Sequence, residues 1–398
     1  MYQLREYQEE CVAKMEWAMD LEGNDIVSVG QGGGKSIIIA EFVNRIKKPI
    51  LVLCPNKELL EQNIRKMSTY IDKKDIGIYS ASLNEKTIKK ITFGTIQSVY
   101  KNSKDFAKFD IAIVDECDLV NPKKLDTMFR KFFLKANVKK VFGLTATPFR
   151  LGTFYKRWGY HKWQVTAITV TQMINRHYNG FWHRMLYVKN VKELQDERYL
   201  VPLTYHDVSV VKHKELKTNK TKSEFDLNSF EKVIGNQYPD IAKFIKKLPH
   251  KKKLVFCSSV EQAEKMQSML PLSVVVTAKT SRKDRQGRVV AFREEKVNIL
   301  LGVGIFTVGF DVPDIDCIVS LKPTRSLRLW TQVIGRGTRL SKGKDTCHIY
   351  DLVGNVKSLG TLENMEIRKI NDKWNVVTEA IPMGFHNVPL FEFDLNKN

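Results

Sequence analysis

Short apolar runs recur along the chain, separated by longer stretches of helical character. Five fall at 26–29, 50–54, 91–95, 111–115 and 141–144, and four more at 254–257, 274–276, 299–303 and 318–321. Runs this short, rich in Ile and Val and bounded by polar turns, read as buried strands. Strands alternating with helices predict parallel sheets, with a ligand site at the carboxyl ends of the strands. The expected fold class is therefore α/β, with two parallel sheets, each flanked by helices. Between the two series, residues 212–223 are lysine-rich with no apolar period, which reads as an exposed loop or linker.

The first run leads into the most specific local pattern. Residues 29–36 read V-G-Q-G-G-G-K-S, and the stretch after them carries Ile37, Ile38, Ile39, Phe42 and Val43 at helical spacing. Strand, glycine-rich turn and helix in that order make a phosphate cradle. Its glycines let several N–H groups face one anion, Lys35 reaches the outer phosphates, and the Ser36 hydroxyl can ligand magnesium. Val29 stands where the strict form of this motif has its first glycine. Residues 109–118, F-D-I-A-I-V-D-E-C-D, form an apolar strand that ends in two acids. In a nucleotide hydrolase Asp115 at such a strand end holds magnesium, and Glu116 orients and deprotonates the attacking water. A further strand, within 141–150, ends in the hydroxyls Thr145 and Thr147. Each pattern alone could be a structural turn; their order favours the chemical reading.

Taken together these residues resemble the superfamily 2 helicases and translocases. Arg5 and Gln8 in L-R-E-Y-Q look like that family's adenine-reading element, Gly32 to Ser36 like motif I, and 53–62 (L-C-P-N-K-E-L-L-E-Q) like motif Ia. Residues 94–98 (G-T-I-Q-S) look like a strand-contacting motif, 115–118 (D-E-C-D) like motif II and 145–147 (T-A-T) like motif III. The series continues with 253–259 (K-L-V-F-C-S-S) as motif IV, 304–313 (G-I-F-T-V-G-F-D-V-P) as motif V and 332–339 (Q-V-I-G-R-G-T-R) as motif VI. The resemblance implies two RecA-like lobes, ATP and Mg2+ as cofactors, and a nucleic-acid partner. It implies nucleotide contacts from Gly30, Gln31, Gly32, Gly33, Gly34, Gly309 and Asp311, and nucleic-acid contacts from Pro55, Asn56, Lys57, Thr95, Gln97, Ser258, Ser259 and Thr307. Thr145 and Thr147 would couple the two. Gln332, Arg336 and Arg339 would act on the nucleotide. The two arginines, three apart, are expected to share one helix face and serve as arginine fingers.

Motif details choose a branch. Thr145 and Gln332 replace the residues usual in DEAD-box RNA helicases, and the whole combination looks more like the RadD, UvsW and restriction-motor groups, which translocate on DNA. Asp118 departs from the histidine frequent there. The formal charge of +21, from 65 basic and 44 acidic residues, agrees with a polyanionic partner. Six cysteines without a C-x-x-C pair speak against a zinc ribbon and for a reducing compartment. Scattered histidines give no support for a metal beyond magnesium, and no apolar run approaches a membrane span, so a cytoplasmic protein, monomeric on DNA, is expected.

The motif order predicts lobe one at 1–150, an aromatic and basic accessory segment at 151–200, a linker at 201–237, lobe two at 238–351 and an accessory tail of strand and helix at 352–398. In the accessory segment Trp158 and Trp182 lie among cations, an arrangement that suits base stacking beside phosphate contact, although packing onto lobe one explains the same aromatics. Three functions stay open: an ATP-driven helicase or translocase favouring single-stranded or branched DNA, a motor subunit of a restriction or repair complex, and an ATP-gated clamp or RNA helicase. No nuclease constellation accompanies the motor.

Overall fold

In the computed structural model the described residues are 3–122, 124, 126–158, 164–177, 179–304 and 312–378, with the side chains of 153–158 and 164–170 excepted. They form two compact units. The first comprises Met1–Phe149 with Met173–Val191, the second Arg150–Gln172 with Lys192–Asn398. Among the described residues no helix is long and apolar enough to cross a membrane.

In chain order the strands up to residue 189 are β1 (Asp25–Val29), β2 (Ile50–Cys54), β3 (Ile76–Ser80), β4 (Glu85–Lys86), β5 (Ile91–Thr95), β6 (Ile111–Asp115), β7 (Lys140–Thr145), β8 (Phe149–Trp158), β9 (Gln164–Met173) and β10 (Arg184–Lys189). The first unit's sheet runs β10-β1-β7-β6-β2-β5-β3-β4 and is parallel except for the β3–β4 pair. Strands β1, β2, β6 and β7 are buried along their whole length, as apolar runs inside a parallel sheet must be. Phe42 of the helix Lys35–Ile46 meets Phe142 of β7 edge to face, and Phe106, Phe109 and Phe132 fill the other side.

Five of these strands, β3, β4, β8, β9 and β10, lie outside the expected set, and two of them are instructive. In β3 the alternation of Ile with Gly and Ser dilutes the apolar signal. The other, β10, overturns the expectation of a single accessory segment at 151–200, because it is an edge strand of the first sheet, paired with β1 from Asp25 opposite Arg184 to Val29 opposite Lys189 with a one-residue shift between Ile26 and Val27. An ion cluster fixes that register. Asp25, fully buried, takes Lys140 Nζ at 2.7 Å and Arg184 Nε at 2.7 Å, so three adjacent strands share one carboxylate. Strands β8 and β9 form a two-stranded sheet of their own.

The second unit adds β11 (Leu203–Asp207), β12 (Lys253–Cys257), β13 (Ser273–Thr277), β14 (Ile299–Val303), β15 (Cys317–Leu321), β16 (Cys347–Asp351), β17 (Glu366–Ile370) and β18 (Lys373–Val377). Its sheet runs β11-β16-β15-β12-β14-β13, parallel throughout. Phe230, Tyr238, Ile241 and Ile245 from two helices cover Val255, Leu301 and Val319.

The stretch 201–237 is not a linker. β11 pairs with β16, and the lysine-rich loop is docked, because Glu224 accepts from Thr324 Oγ1 at 2.6 Å and from Arg325 N at 2.8 Å. His213 adds a bond to Ser358 Oγ at 2.7 Å. After β16 come the short helix Asn355–Leu359 and the antiparallel pair β17–β18; residues 379–398 lie outside the description.

Candidate nucleotide site

Between β1 and the helix Lys35–Ile46 the backbone turns through five residues. Gly32 and Gly34 hold φ of +84° and +78°, in the left-handed region that favours glycine. Gly33 N donates to Gly30 O at 2.9 Å, and Gly30 N donates to Lys189 O at 3.0 Å, which seats the loop against β10. A Cβ on Gly34 would stand 2.5 Å from Gln8 Nε2 and push that amide away from the loop, while the positive φ is what favours glycine here.

The helix Glu6–Trp17 braces the loop from the other side. Tyr7 donates its hydroxyl to Gly33 O at 2.6 Å, and Gln8 Nε2 is 3.4 Å from the same oxygen. Gln8 Oε1 accepts from Arg5 N at 3.1 Å, and Arg5 Nη1 lies 3.4 Å from the Tyr7 hydroxyl. Arg5 and Gln8 thus reach the loop as a unit, with Tyr7 as a member that motif reasoning missed. Its sequence signal was the aromatic between them. Gln31 is buried, and Lys35 and Ser36 are half-buried at the helix start.

Asp115 ends β6 and is buried, as is Glu116, whose φ of +52° places a non-glycine residue in the left-handed region at a cost of about 1–3 kcal/mol. The Asp115 carboxyl is pushed up to about 6 by burial and then by the charge of Glu116; the nearby Lys35 ammonium and the Asn63 amide pull it back. Asn63 Nδ2 donates to Asp115 Oδ2 at 2.8 Å. At the neighbouring strand end, Thr145 Oγ1 donates to buried Asp118 Oδ1 at 2.8 Å and accepts from Thr147 N at 3.0 Å. Thr147 Oγ1 is buried with no hydrogen-bond partner among the described residues. A glycine cradle at a helix start, a lysine and two acids at the end of β6 suit a polyphosphate with a divalent cation. On this donor set the loop and Lys35 would hold phosphates, and Ser36 with Asp115 would hold Mg2+.

The expected nucleic-acid contacts have local duties. Asn56 caps the helix Lys57–Met67 by accepting from Leu59 N at 2.9 Å, and Lys57 Nζ donates to Ser82 O at 2.6 Å beside half-buried Pro55. Thr95 Oγ1 is 2.9 Å from Ser98 Oγ, and Gln97 is exposed. Ser258 donates to Leu321 O at 3.0 Å, and Ser259 caps the helix Val260–Met269. Trp182 is not a stacking platform. It is 1% exposed, edge to face with Phe181 and pressed on Gly143 and Cys117. For this tryptophan the packing alternative holds, since it is part of the core. The side chain of Trp158 and all of Thr307, Gly309 and Asp311 lie outside the described residues.

In the second unit the helix Leu327–Ile334 carries Gln332, 1% exposed, whose Oε1 has no hydrogen-bond partner among the described residues. The expectation that Arg336 and Arg339 share a helix face is corrected. The helix ends at Ile334 with Gly335 as its cap, so Arg336 lies in the following turn and Arg339 just beyond it; Arg336 N donates to Val333 O at 3.2 Å and Thr338 O accepts from Val201 N at 2.8 Å. Gly335 and Gly337 end the helix because they hold it poorly. Arg336 is buried and Arg339 half-buried.

Residues 1–150 match the family described as the res subunit of type III restriction enzymes, and residues 236–341 match the helicase conserved C-terminal domain. The chain therefore carries the two conserved domains expected of a superfamily 2 helicase, one in each unit. It is similar to a helicase of Saccharomyces cerevisiae, "Putative ATP-dependent helicase IRC3", at 26% identity over 88% of this chain and 51% of that protein. It is also similar to "DNA 3'-5' translocase XPB2" of Sulfurisphaera tokodaii, at 24% identity over 84% and 78%. Among solved structures, the ATP-dependent type ISP restriction-modification enzyme LlaBIII bound to DNA superposes with a TM-score of 0.63 at 15% identity, over 88% of this chain and 28% of that one. The chain thus spans about half the length of the yeast relative, and its fold is that of two RecA-like lobes.

Proposed function

We propose that this helicase couples ATP hydrolysis to movement on nucleic acid, with DNA as the favoured track. The observation that carries the reading is the convergence of the glycine loop, Lys35, Asp115 and Glu116 at the carboxyl ends of β1 and β6. In this reading Lys35 and the loop N–H groups bind the phosphates, Arg5 and Gln8 read the base, and Glu116 takes the proton of the attacking water. Magnesium, when bound, would offset negative charge on the phosphate oxygens. Arg336 and Arg339 are assigned to the charge that develops on the transferred phosphoryl group, with Gln332 beside them.

The net charge of +21 supports a polyanionic track, and the name of the archaeal relative supports DNA. The res-subunit match supports a second reading, in which this motor serves a larger restriction or repair assembly. ATP turnover measured side by side on single-stranded DNA, RNA, forked DNA and a four-way junction tests the proposal. Stimulation by DNA over RNA supports it. Turnover that no nucleic acid stimulates would remove the motor reading.

A further inference from the structure

Asp115 does not hold its orientation alone. Asn63, on the helix Lys57–Met67, is 1% exposed, and its Nδ2 donates to Asp115 Oδ2 at 2.8 Å while lying 3.3 Å from Cys54 Sγ. Its Oδ1 has no hydrogen-bond partner among the described residues. Turning the amide over would aim an acceptor at a carboxylate, so the chemistry fixes which atom faces Asp115. Asp115 Oδ1 accepts from Glu116 N at 3.1 Å. Each oxygen therefore already has one donor, and an ionised carboxylate has acceptor capacity for more. The helix that carries Asn63 is itself fixed by the Asn56 cap and by Leu60, Ile64 and Met67 in the core.

We propose that Asn63 is a positioning residue for the divalent ion that accompanies the nucleotide, acting through its hydrogen bond to Asp115. The inference rests on the nucleotide-site reading above and names a residue outside the motifs that suggested that reading. Groups that orient metal-binding carboxylates typically change metal affinity about 10–100-fold when removed. An asparagine that served only to fill space would leave magnesium affinity unchanged relative to nucleotide affinity.

Asn63→Leu keeps the branched shape and deletes the donor. Binding of a fluorescent, non-hydrolysable ATP analogue is measured in EDTA and across a magnesium titration, and bound Mn2+ is counted by electron paramagnetic resonance. The expected result is a magnesium half-saturation raised about 10–100-fold, with affinity in EDTA little changed. An unchanged half-saturation, or equal losses with and without metal, overturns the assignment. Should the variant fail to fold, the Asn63 side-chain amide signal in wild-type protein labelled with 15N-asparagine serves instead: it should shift when magnesium joins the bound analogue, and a fixed signal overturns the proposal. Wild-type binding that ignores magnesium would remove the nucleotide-site reading itself, a result distinct from a wild-type response that Asn63→Leu shares.

Discussion

Thr145 donates its hydroxyl hydrogen to Asp118 at 2.8 Å, and this single buried bond joins the residues that follow β6 to the end of β7. It also accounts for an aspartate at the fourth position of the D-E-C-D motif: a short acceptor fits against the threonine. Thr145→Val should leave a buried acceptor short of a donor, at a cost of about 1–3 kcal/mol. In a double-mutant cycle with Asp118→Ala, which removes the acceptor, the two effects should be clearly non-additive, and additive losses in chemical denaturation would show that the bond carries nothing.

Lys35→Ala and Glu116→Gln should both abolish ATP turnover for different reasons. The first removes a phosphate contact and weakens nucleotide binding; the second leaves nucleotide bound and nucleic acid tightly held. Normal turnover by Glu116→Gln would refute its assignment as the base.

Arg336→Ala and Arg339→Ala test the fingers. On the proposed reading each lowers the catalytic rate by on the order of 10³-fold with little change in nucleotide affinity. Because Arg336 lies in a glycine-rich turn and Arg339 directly follows it, a fall in melting temperature that matches the fall in rate would mark them as structural instead.

Asp25→Ala should be costly far from the nucleotide. It takes the counter-charge from the buried Lys140 ammonium, leaving Leu21 O as its acceptor, and removes the carboxylate that holds Arg184 of β10; breaking such a buried pair costs about 3–5 kcal/mol. The exposed pair Lys139–Asp110 supplies the control, since Asp110→Asn should cost no more than about 1 kcal/mol. Similar shifts in the two denaturation midpoints would contradict the ranking.

His213 makes stability depend on pH. Burial lowers its pKa from 6.5 to about 4. Between those values the unfolded chain binds the extra proton, so its contribution is fully present above pH 6.5 and is lost as pH falls toward 4, on the order of 3 kcal/mol in all. His213→Asn should be less stable than wild type at pH 7 yet lose less stability on acidification. Parallel denaturation midpoints for the two proteins from pH 7 to pH 4 would exclude this role.

Features that depend on neighbours along the chain are legible in the letters. The glycine loop, the apolar strands and the acids after β6 are local patterns, because a phosphate cradle needs consecutive backbone N–H groups and a parallel strand is apolar on both faces. Tertiary structure decided what depends on partners distant in sequence. Nothing in R-M-L-Y-V-K marks β10 as an edge strand of the first sheet; its register rests on Asp25, some 159 positions away. Trp182 and Trp158 look alike as letters, and only the walls built by Phe181, Gly143 and Cys117 make Trp182 core. Arg336 and Arg339 have helical spacing, but the glycines between and before them end the helix at Ile334. Asn63 adjoins a motif without belonging to it, and its meaning appears only when β6 brings Asp115 within 2.8 Å of its amide, 52 residues on. A hydrogen bond has a direction and a length that sequence spacing cannot encode across a sheet.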